Sequence, residues 1–228
     1  MLRLRQEVLV ESSLLGLAFA GGALDATSYL GFGKVFTANM TGNTVLLVTG
    51  LVAAADTHPL RSVAALGGFV LGAFVAALIV PPDGRRWPAK ARLVLVLELL
   101  ALMGLLIAWA MVGVNAIRYE LIVTGALVMG MQSLIARSSG VRGVNTTYIT
   151  GTLATAVARL AQRVRPGVEP AQGPRLPGTA WITYGAGAVA GAFAVRAWGF
   201  GAVSLPIALV AAVCAGAWLT RAREESIR

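Results

Sequence analysis

Cysteine and histidine are almost missing from this chain: 228 residues contain one of each, Cys214 and His58. A single thiol excludes an intrachain disulfide. One histidine, in a loop between Asp56 and Pro59 with no cysteine nearby, leaves no ligand set for a metal. Charge is also scarce. Only 13% of residues are charged, where a soluble domain carries about a quarter. The sequence shows no paired carboxylates, no Ser-His-Asp arrangement and no glycine loop of the phosphate-cradling kind. An enzyme is therefore disfavoured, and no cofactor is expected.

What is present is apolar. The hydrophobic fraction is 57% and the mean hydropathy is +0.76, so the partner for most of the surface is a lipid bilayer. The net charge of +9 does not point to nucleic acid, because the basic residues sit in short stretches between apolar runs, where they orient a chain across the membrane. Near the N-terminus, Arg3 and Arg5 precede Leu14–Leu17 and Ala18-Phe19-Ala20, in the manner of a cleavable leader. Glu7 and Glu11 interrupt the basic region, however, and the apolar run continues to Leu30. This segment reads as a retained first helix.

Eight apolar segments are expected, at about 12–31, 40–55, 62–81, 92–114, 117–136, 147–162, 178–197 and 202–220. Those of ~18–23 residues can cross a hydrocarbon core of ~30 Å. The second and sixth are too short to cross easily, and each follows a stretch rich in Gly, Thr and Asn. Irregular backbone of that kind persists at membrane depth only inside protein or beside a watery cavity.

The chain also repeats itself. Thr41-Gly42 returns as Thr150-Gly151, each followed by an apolar run, and the flanking segments recur at similar shifts. Two halves, about 12–114 and 117–220, form one transmembrane domain over 1–228. If the second and sixth segments are re-entrant, 15 basic residues fall inside and four outside, namely Lys34, Arg61, Arg118 and Arg196. If all eight cross, the split is 11 against 8. The positive-inside rule favours the first arrangement. The expected fold is an all-α integral membrane protein of two inverted repeats, each with three transmembrane helices and one short re-entrant half-helix. Eight crossings as parallel repeats is the alternative. Both termini are then cytoplasmic. Gly68 and Gly72, and again Gly187 and Gly191, have Gly-x-x-x-Gly spacing, which fits helix packing inside one chain better than a homodimer seam.

The half-helices carry the candidate site. Thr and Asn cap helix N-termini, and a helix that starts at membrane depth directs unpaired N–H groups and partial positive charge inward. Two such ends converging from opposite leaflets would hold a small anionic or polar solute. Asn39, Thr41, Gly42, Asn43 and Thr44 form the first approach. Asn145, Thr147, Tyr148, Thr150, Gly151 and Thr152 form the second. Asp25 is an ionisable residue within the first helix, costly unless paired, hydrated or protonated. It is expected to contact solute or couple a proton, or else to bond the polar linker or Arg137. Its counterpart in the second half is Gln132. Glu98, six residues after Arg92, is expected to snorkel or to pair with Arg92 or Lys90. Tyr184 reads as core or interface. Trp87, Trp181 and Trp198 fit an interfacial belt. Asn39-Met40-Thr41 and Asn145-Thr146-Thr147 match the glycosylation sequon at a depth that makes it meaningless.

Gly22-Ala23-Leu24-Asp25-Ala26, Phe36-Thr37-Ala38-Asn39-Met40-Thr41-Gly42-Asn43-Thr44, Gly130-Met131-Gln132 and Thr147-Tyr148-Ile149-Thr150-Gly151-Thr152-Leu153 together resemble the YoaK family of bacterial membrane proteins. The resemblance covers nearly the whole chain, with no departure at the motif positions. It implies a bacterial inner-membrane location and no assigned substrate, since that family is known chiefly as a domain of unknown function. The functional expectation therefore comes from the residues. It is a small transporter or channel, with a non-transporting scaffold, sensor or lipid-interaction protein as the competing class.

Overall fold

A computed structural model describes residues 2–53, 58–80, 90–139, 149–164 and 176–225. Among them every regular element is helical. Eight α-helices run in chain order: α1 Leu2–Thr27, α2 Met40–Val52, α3 Pro59–Ile79, α4 Ala91–Val112, α5 Arg118–Ser138, α6 Ile149–Val164, α7 Leu176–Trp198 and α8 Ser204–Glu225. All eight expected segments are found. A π-helical turn, Ser28–Gly33, extends α1, and a 3-10 turn, Gly199–Val203, separates α7 from α8.

Five stretches are long and apolar enough to cross a bilayer: Val8–Gly33, Pro59–Ile79, Ala91–Val112, Arg118–Ser138 and Leu176–Trp218. The last has 43 residues and includes α7 and most of α8, about twice what one crossing needs. Leu78, Met111, Phe193 and similar side chains stand largely exposed on these helices, a surface that lipid rather than water must cover. The two short helices differ from each other. Apolar α2 matches the expectation, whereas α6 is amphipathic, with Thr152, Thr155 and Arg159 on one side and Leu153, Val157 and Leu160 exposed on the other.

The two largest helix interfaces are α1 on α7 and α3 on α5. In each, the third helix of one sequence half crosses the first helix of the other. The Gly-x-x-x-Gly pairs make these crossings. Gly68 and Gly72 lie on the Val123 and Leu127 carbonyls, while Gly187 and Gly191 lie on those of Phe19 and Ala23. Gly22 on Tyr184 and Gly130 on Phe69 complete the set from the opposite side. A methyl group at any of these positions would overlap backbone, so these glycines serve intrachain packing. Gly72→Ala and Gly191→Ala should therefore each cost ~1–3 kcal/mol of overpacking. Gly67→Ala and Gly185→Ala, with no atom within 4 Å, should be neutral or better. Thermal unfolding in detergent checks the contrast, and equal midpoints for both classes would contradict the packing.

α5 is the most enclosed span, with 67% of its apolar window buried against 28% for α3. At one end of the bundle, Lys34 adopts a left-handed conformation (φ 61°) and its N–H returns to the Tyr29 carbonyl at 2.9 Å, closing the π-turn. Arg61 from α3 donates to the Gly33 carbonyl (3.2 Å) and Arg118 from α5 to the Phe32 carbonyl (3.3 Å). Two cations thus satisfy the last carbonyls of this helix and complement its dipole.

Candidate solute site

The linker after the π-turn, residues 34–39, has no helical or strand partner of its own, so side chains must satisfy its backbone. Asp25 and Asn43 do so. Asp25 is buried, and its Oδ1 accepts the N–H of Thr37 (2.7 Å), the N–H of Ala38 (2.6 Å) and the Thr37 hydroxyl (3.1 Å). Its Oδ2 accepts the Tyr184 hydroxyl at 2.5 Å, across the α1–α7 crossing. Asn43 is fully buried and grips Phe36 at two points: Oδ1 accepts its N–H (2.9 Å) and Nδ2 donates to its carbonyl (2.7 Å). Asn39 then caps α2, its Oδ1 accepting the Gly42 amide at 3.1 Å.

This linker ends on a cavity of 710 Å³. Asn39, Met40 and Thr41 bring the start of α2 into its wall, and Ile149, Thr150 and Gly151 bring the start of α6. The positive ends of two helix dipoles therefore abut one space. Arg137, near the end of α5, is the charged residue lining the cavity among the described residues, and no carboxylate among them joins it. Tyr184 lines it as well, so the ring faces the cavity while the hydroxyl anchors on Asp25. A cation, two helix N-termini and the hydroxyl-bearing Thr41, Ser133 and Thr150 make an environment suited to a carboxylate or other small anion.

Asn39, Thr41, Thr150 and Gly151, expected as solute-lining, come together here. Asp25 lies behind the wall, one hydrogen bond removed through Tyr184. Its partners are the linker and Tyr184 rather than Arg137. Asn43 is a buried clamp. Gly42 packs toward Asn39 and Phe36, so added bulk there would meet the cap first. Thr44 donates back to the Met40 carbonyl at 2.9 Å, a local bond within α2. Thr152 is buried on α6. Gln132 is fully buried and donates to the Leu17 carbonyl at 3.0 Å. Asn145, Thr147, Tyr148 and Trp87 lie outside the described residues.

Three polar residues lining the cavity, Ser133, Arg137 and Tyr184, are not among the solute-lining residues expected from the sequence. Ser133 follows Gln132 directly and Arg137 is one helical turn further along α5, a spacing that shares a face. Tyr184 carries no local signal, since its partner is 159 residues away. Glu98 departs from expectation more sharply. It neither snorkels nor pairs: it is fully buried, and neither carboxyl oxygen has a partner among the described residues.

A family model described as a protein of unknown function, DUF1275, matches residues 13–216. The chain belongs to the DUF1275 family. It is also similar to the UPF0700 transmembrane protein YoaK of Bacillus subtilis (strain 168), with 34% identity over 152 residues. That match covers 65% of this chain and 66% of the relative, so the chain spans just under two thirds of the length of the curated relative it matches. No solved structure matches. The DUF1275 match includes Asp25, both glycine crossings, the cavity wall and Glu98, and so takes in the whole arrangement described above.

Proposed function

We propose that this DUF1275 protein is a small transporter or channel for a small anionic or polar solute, held between the N-terminal ends of α2 and α6. The observation that carries this reading is the cavity itself, where both helix starts and the guanidinium of Arg137 share one wall. Among the described residues, nothing hydrogen-bonds or ion-pairs with that guanidinium, leaving its donors for a ligand. A scaffold has no need to hold irregular polar backbone beside a cavity.

The finer architecture follows the same logic. Six long helices cross, α2 and α6 re-enter, and the halves are inverted, with both termini in the cytoplasm of a bacterial inner membrane. The mirrored crossings of α1 on α7 and α3 on α5 favour this, as does the packing of α2 on α3 and of α6 on α7. The charge asymmetry of the loops agrees.

Two measurements test the proposal. In a Cys214→Ala background, a cysteine replacing His58 should react with an impermeant thiol reagent from outside intact cells, and one replacing Lys90 should be protected. The reverse labelling establishes eight crossings. Proteoliposomes containing the chain should take up at least one solute from a panel of small carboxylates, inorganic anions and neutral polar metabolites faster than empty vesicles. Failure across the panel with correctly folded protein favours the scaffold or sensor class.

A further inference from the structure

Two of the buried polar groups that lack a partner among the described residues, neither of them lining the cavity, are brought together by helix register. Glu98 is the first; both its oxygens lack a partner. Gln132 is the second: its Nε2 donates to Leu17 on α1, while its Oε1, also buried, accepts nothing among the described residues. α4 and α5 are neighbours joined by residues 113–117 and run antiparallel. Their register is marked by Leu105, whose Cδ1 lies 3.7 Å from a methyl group built on Gly125. Seven residues back along α4 is Glu98, and seven residues on along α5 is Gln132. Seven residues are almost two whole turns, ~10 Å, so both stay on the faces that touch at Leu105 and Gly125. The buried stripe of α4, with Val94, Leu95, Glu98, Leu102 and Leu105, has the same phase.

An ionised Glu98 would face an amide oxygen, which can only accept. A neutral carboxylic acid has one donor. We propose that Glu98 and Gln132 form an intramembrane proton-binding site, with a proton taken from the aqueous phase onto one Glu98 oxygen and donated in a hydrogen bond to Gln132 Oε1. No other covalent bond changes. This arrangement satisfies the amide oxygen and removes a bare charge that the interior cannot solvate.

The charged and titratable groups of the surrounding helices leave the site uncrowded. On α4, Arg92 stacks over Trp218 of α8 at 5.4 Å, which sets Val210–Cys214 at the level of Glu98, with Cys214 the titratable group there. On α5, Arg137 lies five residues beyond Gln132, and Arg118, Tyr119 and Glu120 stand three turns or more before it. On α1, which meets Gln132 at Leu17, Glu11 and Asp25 stand six and eight residues from that contact, and on α3 Arg61 is committed to Gly33 at the far end of the bundle. Gln132 is adjacent to Ser133, which lines the cavity. Proton release from Glu98 would therefore be felt one residue from the solute. That coupling rests on the transport reading; the proton site does not.

Infrared spectroscopy of the full chain in lipid vesicles tests it. A protonated-carboxyl C=O band is expected at neutral pH, and labelling glutamate with a heavy carboxyl carbon should shift it. The band should vanish in Glu98→Gln and persist in Asp25→Asn. In Gln132→Leu it should move to higher frequency as the donor loses its acceptor. The isotope shift in the unaltered chain reads the site even if Glu98→Gln fails to fold. Absence of an isotope-sensitive band, or its survival in Glu98→Gln, overturns the proposal, as does an unmoved band in Gln132→Leu. Flux is scored separately, so a chain that keeps the band without transporting anything counts against the transport reading alone.

Discussion

Asp25→Ala should be the most destabilising polar truncation in the chain, lowering stability by ~3 kcal/mol or more. The carboxylate accepts four hydrogen bonds, and its loss leaves two backbone N–H groups buried without an acceptor and the part-buried Tyr184 hydroxyl without its partner. Each such orphan costs ~1–3 kcal/mol. Asp25→Asn keeps one acceptor oxygen for Thr37 and Ala38 and offers an N–H to a rotated Tyr184 hydroxyl, so its cost should be clearly smaller. Tyr184→Phe, which removes a single bond, should sit with Asp25→Asn. Adding Arg137→Gln to either Asp25 variant should recover nothing, because the two side chains share no contact. Thermal unfolding in detergent ranks the series. An unchanged midpoint for Asp25→Ala would mean that the linker is held by something else, and recovery on adding Arg137→Gln would mean a charge pair.

Arg137→Gln should weaken uptake of an anionic solute by roughly 10- to 100-fold, the loss expected for a charge-assisted hydrogen bond of ~1.5–3 kcal/mol. Arg137→Glu should abolish it, since like charge is then placed where the anion must sit. Stability should change little in either case, as Arg137 is exposed and holds no partner among the described residues. Gly151→Leu should block uptake of every solute, charged or neutral, by filling the cavity beside the start of α6. Initial rates in proteoliposomes, at matched protein content, provide the measurement. If Arg137→Gln leaves the anion rate intact while Gly151→Leu removes it, the solute is recognised by the helix ends alone. If neither variant slows uptake, the cavity is not the path.

Much of this architecture can be read from the residues. Apolar run lengths locate all eight helices, because a bilayer imposes a minimum length that composition reveals. Glycine spacing at 68/72 and 187/191 marks the crossings, since close backbone approach admits nothing larger. The cap at Asn39 and the clamp at Asn43 are local, within seven residues of their partners. What escapes sequence reading is set by distant segments. Tyr184 meets Asp25 only because α7 lies on α1. Proximity in the chain suggests a tie between Glu98 and Arg92, yet six residues place the two on different sides of α4. The three- and four-residue spacing of Glu98 from Val94, Leu95 and Leu102 places it on the buried stripe instead.

The lateral exchange of helices between halves also sets a schedule for biogenesis. α1 enters the bilayer first, but the helix that covers its glycine face is completed more than 150 residues later, roughly 8–30 s at ordinary rates of synthesis of ~5–20 residues per second. Through that interval Asp25 would be exposed to lipid were it to depend on α7. Three of its four hydrogen bonds instead come from Thr37 and Ala38, a dozen residues downstream. The nascent chain can shelter its own carboxylate as soon as the linker emerges, and α7 arrives to find one acceptor oxygen still open.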